Sequence, residues 1–133
     1  MQTPKFRILV VDDFDLWRRL LCTTLSKEPD LEVVGEASDG FEATQKVEEL
    51  NPDLVLLEID LREVNGLEVA RRIRETVPGA KIVFLSHLSD PDIIEAAMGE
   101  GAHGYIIKMN AGTGLLAAIK AILRGERYVS EVK

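Results

Sequence analysis

The sequence predicts an α/β fold in which a five-stranded parallel sheet is doubly wound, with helices on both faces. Three observations predict it. Five short apolar runs recur along the chain, each followed by a stretch with apolar residues at helical spacing. The runs show little polar alternation, which suits strands covered on both faces, the usual state of a parallel sheet. Four of the five runs end in acids, a hydroxyl or a lysine, which places polar groups at the carboxyl edge where open α/β sheets bind ligands.

Each element has its own local cause. Phe6 to Val11 is apolar apart from Arg7 and empties into Asp12-Asp13, giving a first strand. Leu16, Leu20, Leu21 and Leu25 then recur at helical spacing, with Pro29 beyond to stop the helix. Leu31 to Ala37 is a second strand. Ser38-Asp39-Gly40 breaks the chain before a helix carrying Phe41, Ala43, Val47 and Leu50, where Asp39 with Glu42 three later resembles a capping box. The third strand runs from Asp53 to Ile59 and delivers Glu58 to the sheet edge, and Gly66 closes the following loop.

Leu67, Val69, Ala70, Ile73 and Val77 predict a third helix ending before Pro78-Gly79, and Ala80 to Leu85 a fourth strand ending at Ser86. Ser89-Asp90 before Pro91 is the arrangement expected where a helix has proline in its first turn, and that helix continues through Ile93, Ile94, Ala97 and Met98. Gly104 to Ile107 is a short fifth strand ending at Lys108. The last helix starts near Gly112 to Leu115 and ends at Gly125. Between Leu115 and Leu123 only Lys120 is polar, a wider apolar surface than packing on a sheet requires.

Composition narrows the function. A chain of 133 residues with 46% hydrophobic and 29% charged residues is globular. No apolar run approaches the ~20 residues that span a bilayer, and no signal-peptide pattern opens the chain, so no membrane association and a cytoplasmic location are expected. Without repeats, low-complexity tracts or a linker, residues 1–133 are expected to form a single domain with no output domain. Cys22 is the only cysteine, which excludes an internal disulfide and predicts a core thiol. The net charge of −7 opposes attraction to phosphate backbones, so direct nucleic-acid binding is not expected.

The strand ends bring Asp12, Asp13, Glu58, Asp60, Ser86 and Lys108 to one edge of a parallel sheet. Clustered carboxylates repel unless a cation sits between them, and hard oxygen ligands suit Mg²⁺ or Mn²⁺. A hydroxyl and an ammonium facing such a cluster would bind the oxygens of a phosphoryl group. For any one of these residues taken singly, a solvated surface acid is the alternative.

The motifs Ile8-Leu9-Val10-Val11-Asp12-Asp13, Pro52-Asp53-Leu54-Val55-Leu56-Leu57, Asn65-Gly66, Phe84-Leu85-Ser86 and Gly104-Tyr105-Ile106-Ile107-Lys108 resemble, over essentially the whole chain, the receiver domain of bacterial two-component response regulators. The tail Ile122-Leu123-Arg124-Gly125-Glu126-Arg127-Tyr128-Val129-Ser130 looks most like the subfamily whose receivers precede a helix-turn-helix DNA-binding domain. The resemblance implies a flavodoxin-like fold with strand order 2-1-3-4-5, a role in phosphorelay signal transduction and transcription regulation, and a sensor histidine kinase as partner. It implies Asp12 and Asp13 as metal-site acids, Ser86 as the switch hydroxyl, Lys108 as the lysine that pairs with the phosphoryl group, and Tyr105 as the aromatic whose rotation reports activation. Mg²⁺ would be held by Asp13, Glu58 and the backbone carbonyl of Asp60. The fourth helix, fifth strand and fifth helix would form a face that docks a protein partner or a second copy, here including Ile94, Met98, Tyr105, Leu116, Ala117 and Leu123.

Glu58 stands at the phosphoacceptor position, where the family has aspartate. Its stem is longer by one methylene, roughly 1.5 Å of extra reach, and in-line phosphoryl transfer depends on positioning. Phosphorylation at Glu58 is therefore expected to be lost or very slow, and metal affinity altered. Two outcomes follow: partial mimicry of the phosphorylated state, or direct pairing with Lys108 that fixes one state. Arg62, where the family commonly has proline, loosens the loop, places a cation near the acids or is simply solvated. His87, at a usually small position, either gates the pocket or is a surface histidine. Trp17 and His103 carry no signal beyond ordinary packing. The alternative to a signalling module is a small metal-dependent phosphatase or phosphotransferase using the same acids.

Overall fold

The computed structural model describes residues 5–130. In chain order its elements are β1 (Phe6–Val11), α1 (Asp15–Ser26), β2 (Leu31–Ala37), α2 (Gly40–Leu50), β3 (Leu54–Leu57), α3 (Gly66–Thr76), β4 (Lys81–Ser86), α4 (Pro91–Gly99), β5 (Gly104–Ile107), α5 (Ala111–Leu123) and β6 (Tyr128–Val129). All strand pairings are parallel, in the order β2-β1-β3-β4-β5-β6.

The strand period of two sorts the core. Ile8 and Val10 of β1 pack with Leu21 and Leu25 of α1 and Ile119 and Ile122 of α5. Leu9 and Val11 point the other way, into a cluster with Val47 of α2, Ile73 of α3 and Ala97 of α4. Both faces are therefore covered, which is why the strands read as unbroken apolar runs. The polar interruption in the first run is also explained. Arg7 Nη1 donates to the Leu50 carbonyl at 2.5 Å and the Asn51 carbonyl at 3.1 Å, binding the carboxyl end of α2, where Asn51 adopts φ 48°.

The helix starts follow the expected chemistry. Asp39 accepts from the Glu42 N–H at 2.8 Å, while Glu42 Oε1 accepts from the Ser38 N–H at 3.0 Å, one residue earlier than in the usual reciprocal box. Asp90 caps α4, accepting from the Asp92 N–H at 2.8 Å, with Pro91 opening the helix.

Three boundaries differ from expectation. β3 ends at Leu57, because its ladder stops where Glu58 and Ile59 turn toward the loop, although the Glu58 N–H still donates to the Val11 carbonyl at 3.1 Å. α5 starts at Ala111, fed by a tight 3-10 turn over Lys108–Asn110, whereas Gly112 and Gly114 had disguised its first turn. A sixth strand extends the five-stranded sheet: Tyr128 and Val129 pair with Gly104 and Tyr105, and Ser130 Oγ accepts from the Ile107 N–H at 3.1 Å. Two residues are too short for a periodic signal.

Cys22 is half-buried against the α1/α5 side of the core. Burial, with Glu36 nearby, pushes its thiol up to about 12, so it stays protonated and unreactive. Among the described residues no helix is long and apolar enough to cross a membrane.

Gly66 is fixed by close approach. A Cβ there would overlap the Glu58 carbonyl oxygen and lie 2.6 Å from Ile59 Cα, and the Gly66 N–H donates to the Ile59 carbonyl at 2.7 Å. Gly66→Ala is expected to destabilise the fold by about 2 kcal/mol, the scale of a forced backbone shift in a packed site. Chemical denaturation would measure it, and an unchanged midpoint would show that α3 can back away from β3.

Candidate functional site

β1, β3, β4 and β5 end side by side, and the segments leaving them build an open pocket of about 490 Å³ lined by Asp12, Asp13, Glu58, Asp60, His87 and Lys108. Asp12 and Glu58 are both 2% exposed, so their charges need partners. Lys108 supplies one for both: its Nζ lies 2.8 Å from Asp12 Oδ2 and 3.0 Å from Glu58 Oε1. Burial opposes the charge on Lys108, but the two carboxylates outweigh it and raise its pKa above the ordinary 10.5.

Glu58 uses its other oxygen locally. Oε2 accepts from the Ile59 N–H at 2.6 Å and the Asp60 N–H at 3.1 Å, so the longer stem curls back onto its own loop. Burial pushes this carboxyl up, yet Ser86, Lys108 and the Asp60 N–H together hold it below its ordinary value. Asp12 goes the other way: burial raises its pKa despite the bonds from Lys108 and from the Phe14 N–H. Ser86, fully buried at the end of β4, also accepts from the Leu88 N–H at 3.2 Å.

Tyr105 is fully buried against Phe84, with ring centroids 6.1 Å apart, and its hydroxyl donates to the Leu88 carbonyl at 2.7 Å. Burial and the Glu58 charge raise its pKa. The β4–α4 loop thus holds Ser86 and Tyr105 through one residue, Leu88.

The remaining predicted residues are less tightly gathered. Asp13 lies 3.7 Å from Arg62 Nε, and Arg62 is three-quarters exposed, so the cation does stand near the acids but in solvent. Arg62→Ala is expected to change stability by less than ~0.5 kcal/mol. A thermal shift beyond a few degrees would contradict that. The Asp60 side chain is exposed and lies 3.5 Å from His87 Nε2, while His87 Nδ1 lies 3.3 Å from Glu58 Oε1. His87, more than half exposed, lies between these two acids at the surface of the pocket.

Receiver domains generally hold Mg²⁺ at the phosphorylation site. In this arrangement the expected donors do not converge on a cation. Lys108 stands between Asp12 and Glu58, Asp13 faces Arg62, and one Glu58 oxygen is taken by two backbone N–H groups. Among the described residues no group of three or more His, Cys, Asp or Glu is placed to hold a metal ion.

Trp17 belongs to this site although the sequence did not mark it. Lys108 Nζ lies 5.3 Å from the centroid of its ring, a cation–π distance. The available signal was topological: α1 leaves the same sheet edge as Asp12, so its first turn must flank the pocket.

The residues expected on the partner face differ in exposure. Ile94 and Tyr105 are buried, and Met98, Leu116 and Leu123 are partly buried against the core, leaving Ala117 exposed. Leu115, Ala118, Ile119 and Ile122 of α5 pack on the sheet, whereas Leu116 and Leu123 keep part of their surface and Ala117 is exposed. Large exposed apolar side chains include Met109, between β5 and α5, and Phe14, Leu16 and Leu20, around and on α1.

A doubly wound parallel sheet thus carries buried acids, a hydroxyl and a lysine at its carboxyl edge. The response regulator receiver domain family matches residues 8–120, and the chain belongs to it. The transcriptional regulatory protein DegU of Brevibacillus brevis is 34% identical over 94% of this chain and 53% of its own length. A protein-glutamate methylesterase/protein-glutamine glutaminase of a Nocardioides species is 42% identical over 79% of this chain and 29% of its own length. The crystal structure of a LuxR-family two-component response regulator from Aurantimonas sp. SI85-9A1 superposes with a TM-score of 0.89 at 32% identity, covering 93% of this chain and 89% of that one. The chain spans about half the length of DegU. Receiver domains interact with sensor histidine kinases and dimerise, and those of transcriptional regulators are mostly non-enzymatic.

Proposed function

We propose that this receiver domain signals through protein contacts in a state that Glu58 fixes without phosphorylation. The observation that carries the reading is the placement of Lys108 Nζ between Asp12 Oδ2 at 2.8 Å and Glu58 Oε1 at 3.0 Å. The lysine that would pair with an incoming phosphoryl group is already neutralised by the residue at the acceptor position. Glu58 brings one negative charge where a phosphoryl group brings about −1.5 to −2 and three acceptor oxygens, so its mimicry is partial.

Each side chain has a role in this reading. Asp12 and Glu58 share the Lys108 ammonium. Ser86 steadies the Glu58 carboxylate, and Leu88 transmits the position of that loop to Tyr105. Asp13 and Asp60 stay at the mouth, tied to Arg62 and His87. Lys108 offsets one of the two buried negative charges, and the Ile59 and Asp60 N–H groups bind the second Glu58 oxygen. The kinase partner expected of a two-component receiver would then find a weak acceptor, and the output would be carried by contacts made regardless of its input.

Mass spectrometry after incubation with acetyl phosphate and MgCl₂ tests the proposal. No phosphoryl adduct is expected on Glu58 over the time a receiver aspartate needs to saturate. An adduct mapped to Glu58 and formed within minutes would sink the reading.

A further inference from the structure

His103 stands just before β5, away from the acidic pocket, and its ring completes the sheet there. In a parallel ladder a residue of an inner strand bonds its neighbour through both its N–H and its carbonyl. The Ile82 carbonyl accepts from the His103 N–H at 2.8 Å, whereas the Ile82 N–H donates to His103 Nδ1 at 3.1 Å. β5 begins only at Gly104, after a turn through Gly101 at φ 90°, so a side-chain nitrogen takes the place of a backbone carbonyl. The His103 carbonyl in turn accepts from the Tyr128 N–H at 3.3 Å, where β6 starts. One residue therefore joins β4, β5 and β6.

An imidazole nitrogen accepts a hydrogen bond only while it carries no proton. The neutral ring must hold its proton on Nε2 to leave Nδ1 free for Ile82. Protonation turns Nδ1 into a donor that faces the Ile82 N–H, and the bond is lost. His103 is then tied to β4 through its backbone N–H alone.

Among the described residues, the charged groups on the elements around the ring are Lys81 of β4, Arg74 of α3, Glu100 at the α4–β5 turn, and Glu126 and Arg127 ahead of β6. Glu100 is engaged by Arg71 at 3.8 Å and Glu126 by Arg124 at 3.0 Å, so neither acid is left to support a charged ring. Burial first, and then the like charge of Lys81, lower the His103 pKa below its ordinary 6.5. A lowered value in the folded state means that the stability is complete above 6.5 and is lost as pH falls from there through the folded value.

We propose that His103 is a proton-sensitive latch at the amino ends of β4, β5 and β6, whose protonation frees the Ile82 N–H and loosens the attachment of β6. The effect reaches toward the pocket. Ser130, just past β6, accepts from the Ile107 N–H at 3.1 Å, and Ile107 directly precedes Lys108. The strand that His103 holds at one end is thus fastened beside that lysine at the other. The latch is independent of whether Glu58 accepts a phosphoryl group.

The ¹⁵N-labelled full chain, titrated by NMR between about pH 7.5 and pH 5, tests the latch. Long-range ring correlations, assigned through the His103 backbone, are expected to show the Nε2-H tautomer at neutral pH and a titration midpoint below 6.5. After correction for intrinsic exchange, the Ile82 and Tyr128 amides are expected to lose protection about fivefold once the ring is charged, the worth of one net hydrogen bond. An asparagine side chain carries an acceptor oxygen near the place of Nδ1 and does not titrate. His103→Asn should therefore keep both amides equally protected across the range.

An Nδ1-H tautomer at neutral pH, or a midpoint at or above 6.5, overturns the neutral acceptor on which the latch depends. Constant protection in the parent, or the same loss in His103→Asn, overturns the release. The tautomer, the midpoint and the protection of the parent decide the matter even if the variant does not fold.

Discussion

Glu58→Asp is expected to gain phosphorylation by acetyl phosphate, in a buffer containing Mg²⁺, by about a hundredfold over the parent. That is the scale on which an ångström of misplacement acts in a positioned transfer. The physical reason lies in two contacts the shorter side chain gives up. Glu58 Oε2 folds back to the Ile59 and Asp60 N–H groups, and Oε1 reaches Lys108 at 3.0 Å. Removing one methylene withdraws the carboxylate by roughly 1.5 Å and opens room between it and Lys108 for a phosphoryl group. Ser86 and Lys108 are already on the far side of that gap. Intact mass and peptide mapping would follow the adduct over time. Equal rates for parent and variant would show that stem length is not what limits the site.

Lys108→Met should be the most destabilising single change in the pocket, by about 3 kcal/mol at neutral pH, because it leaves two buried carboxylates without their cation. The pH dependence follows from the directions of the shifts. Glu58 is held below its ordinary 4.5, so its contribution is present above that value and is lost as pH falls through the lower folded value. Asp12 is raised above 3.8, so its contribution has the opposite sign: it is full below 3.8 and lost as pH rises through the folded value. Lys108 is raised above 10.5, so its contribution is complete below 10.5 and lost only as pH climbs through the folded value. The gap between parent and variant is therefore expected to be widest near pH 7. It should narrow as pH falls through the carboxyl range, because the carboxyls left without the ammonium take up protons before those of the parent do. Urea unfolding across that range measures it, and a gap independent of pH would mean that the packing of the introduced thioether side chain, not charge, sets the loss.

The sheet was legible because covered parallel strands leave unbroken apolar runs, and Ile8, Val10, Leu54 and Leu56 on one face with Leu9, Val11, Val55 and Leu57 on the other fill both cores as those runs imply. Asp12, Glu58, Ser86 and Lys108 were legible because parallel strands put all their carboxyl ends on one edge. The contacts between them were not. Whether Glu58 reaches Lys108 or turns to its own loop is settled by side-chain length and rotamer, and here it does both. His87 and Trp17 come from a loop and a helix start, where the period of a strand says nothing about direction. The wide apolar surface of α5 was not divided between core and outer face by the sequence, for a related reason. Leu115, Ala118, Ile119 and Ile122 are consumed by the core, and periodicity alone does not say how far α5 sinks into the sheet.

The two-residue strand β6 also bears on how the molecule avoids self-propagating aggregation. It covers the flank of β5, leaving β2 as the other outer strand of the sheet. β2 carries Glu32 and Glu36, and its pairing with β1 is interrupted by a register shift between Ile8 and Leu9. Acidic side chains and irregular register are the devices by which outer strands discourage intermolecular ladder growth. With one flank capped and the other charged and uneven, addition of a foreign strand is disfavoured at both borders. Orderly assembly of this domain must therefore be built from its helices and loops.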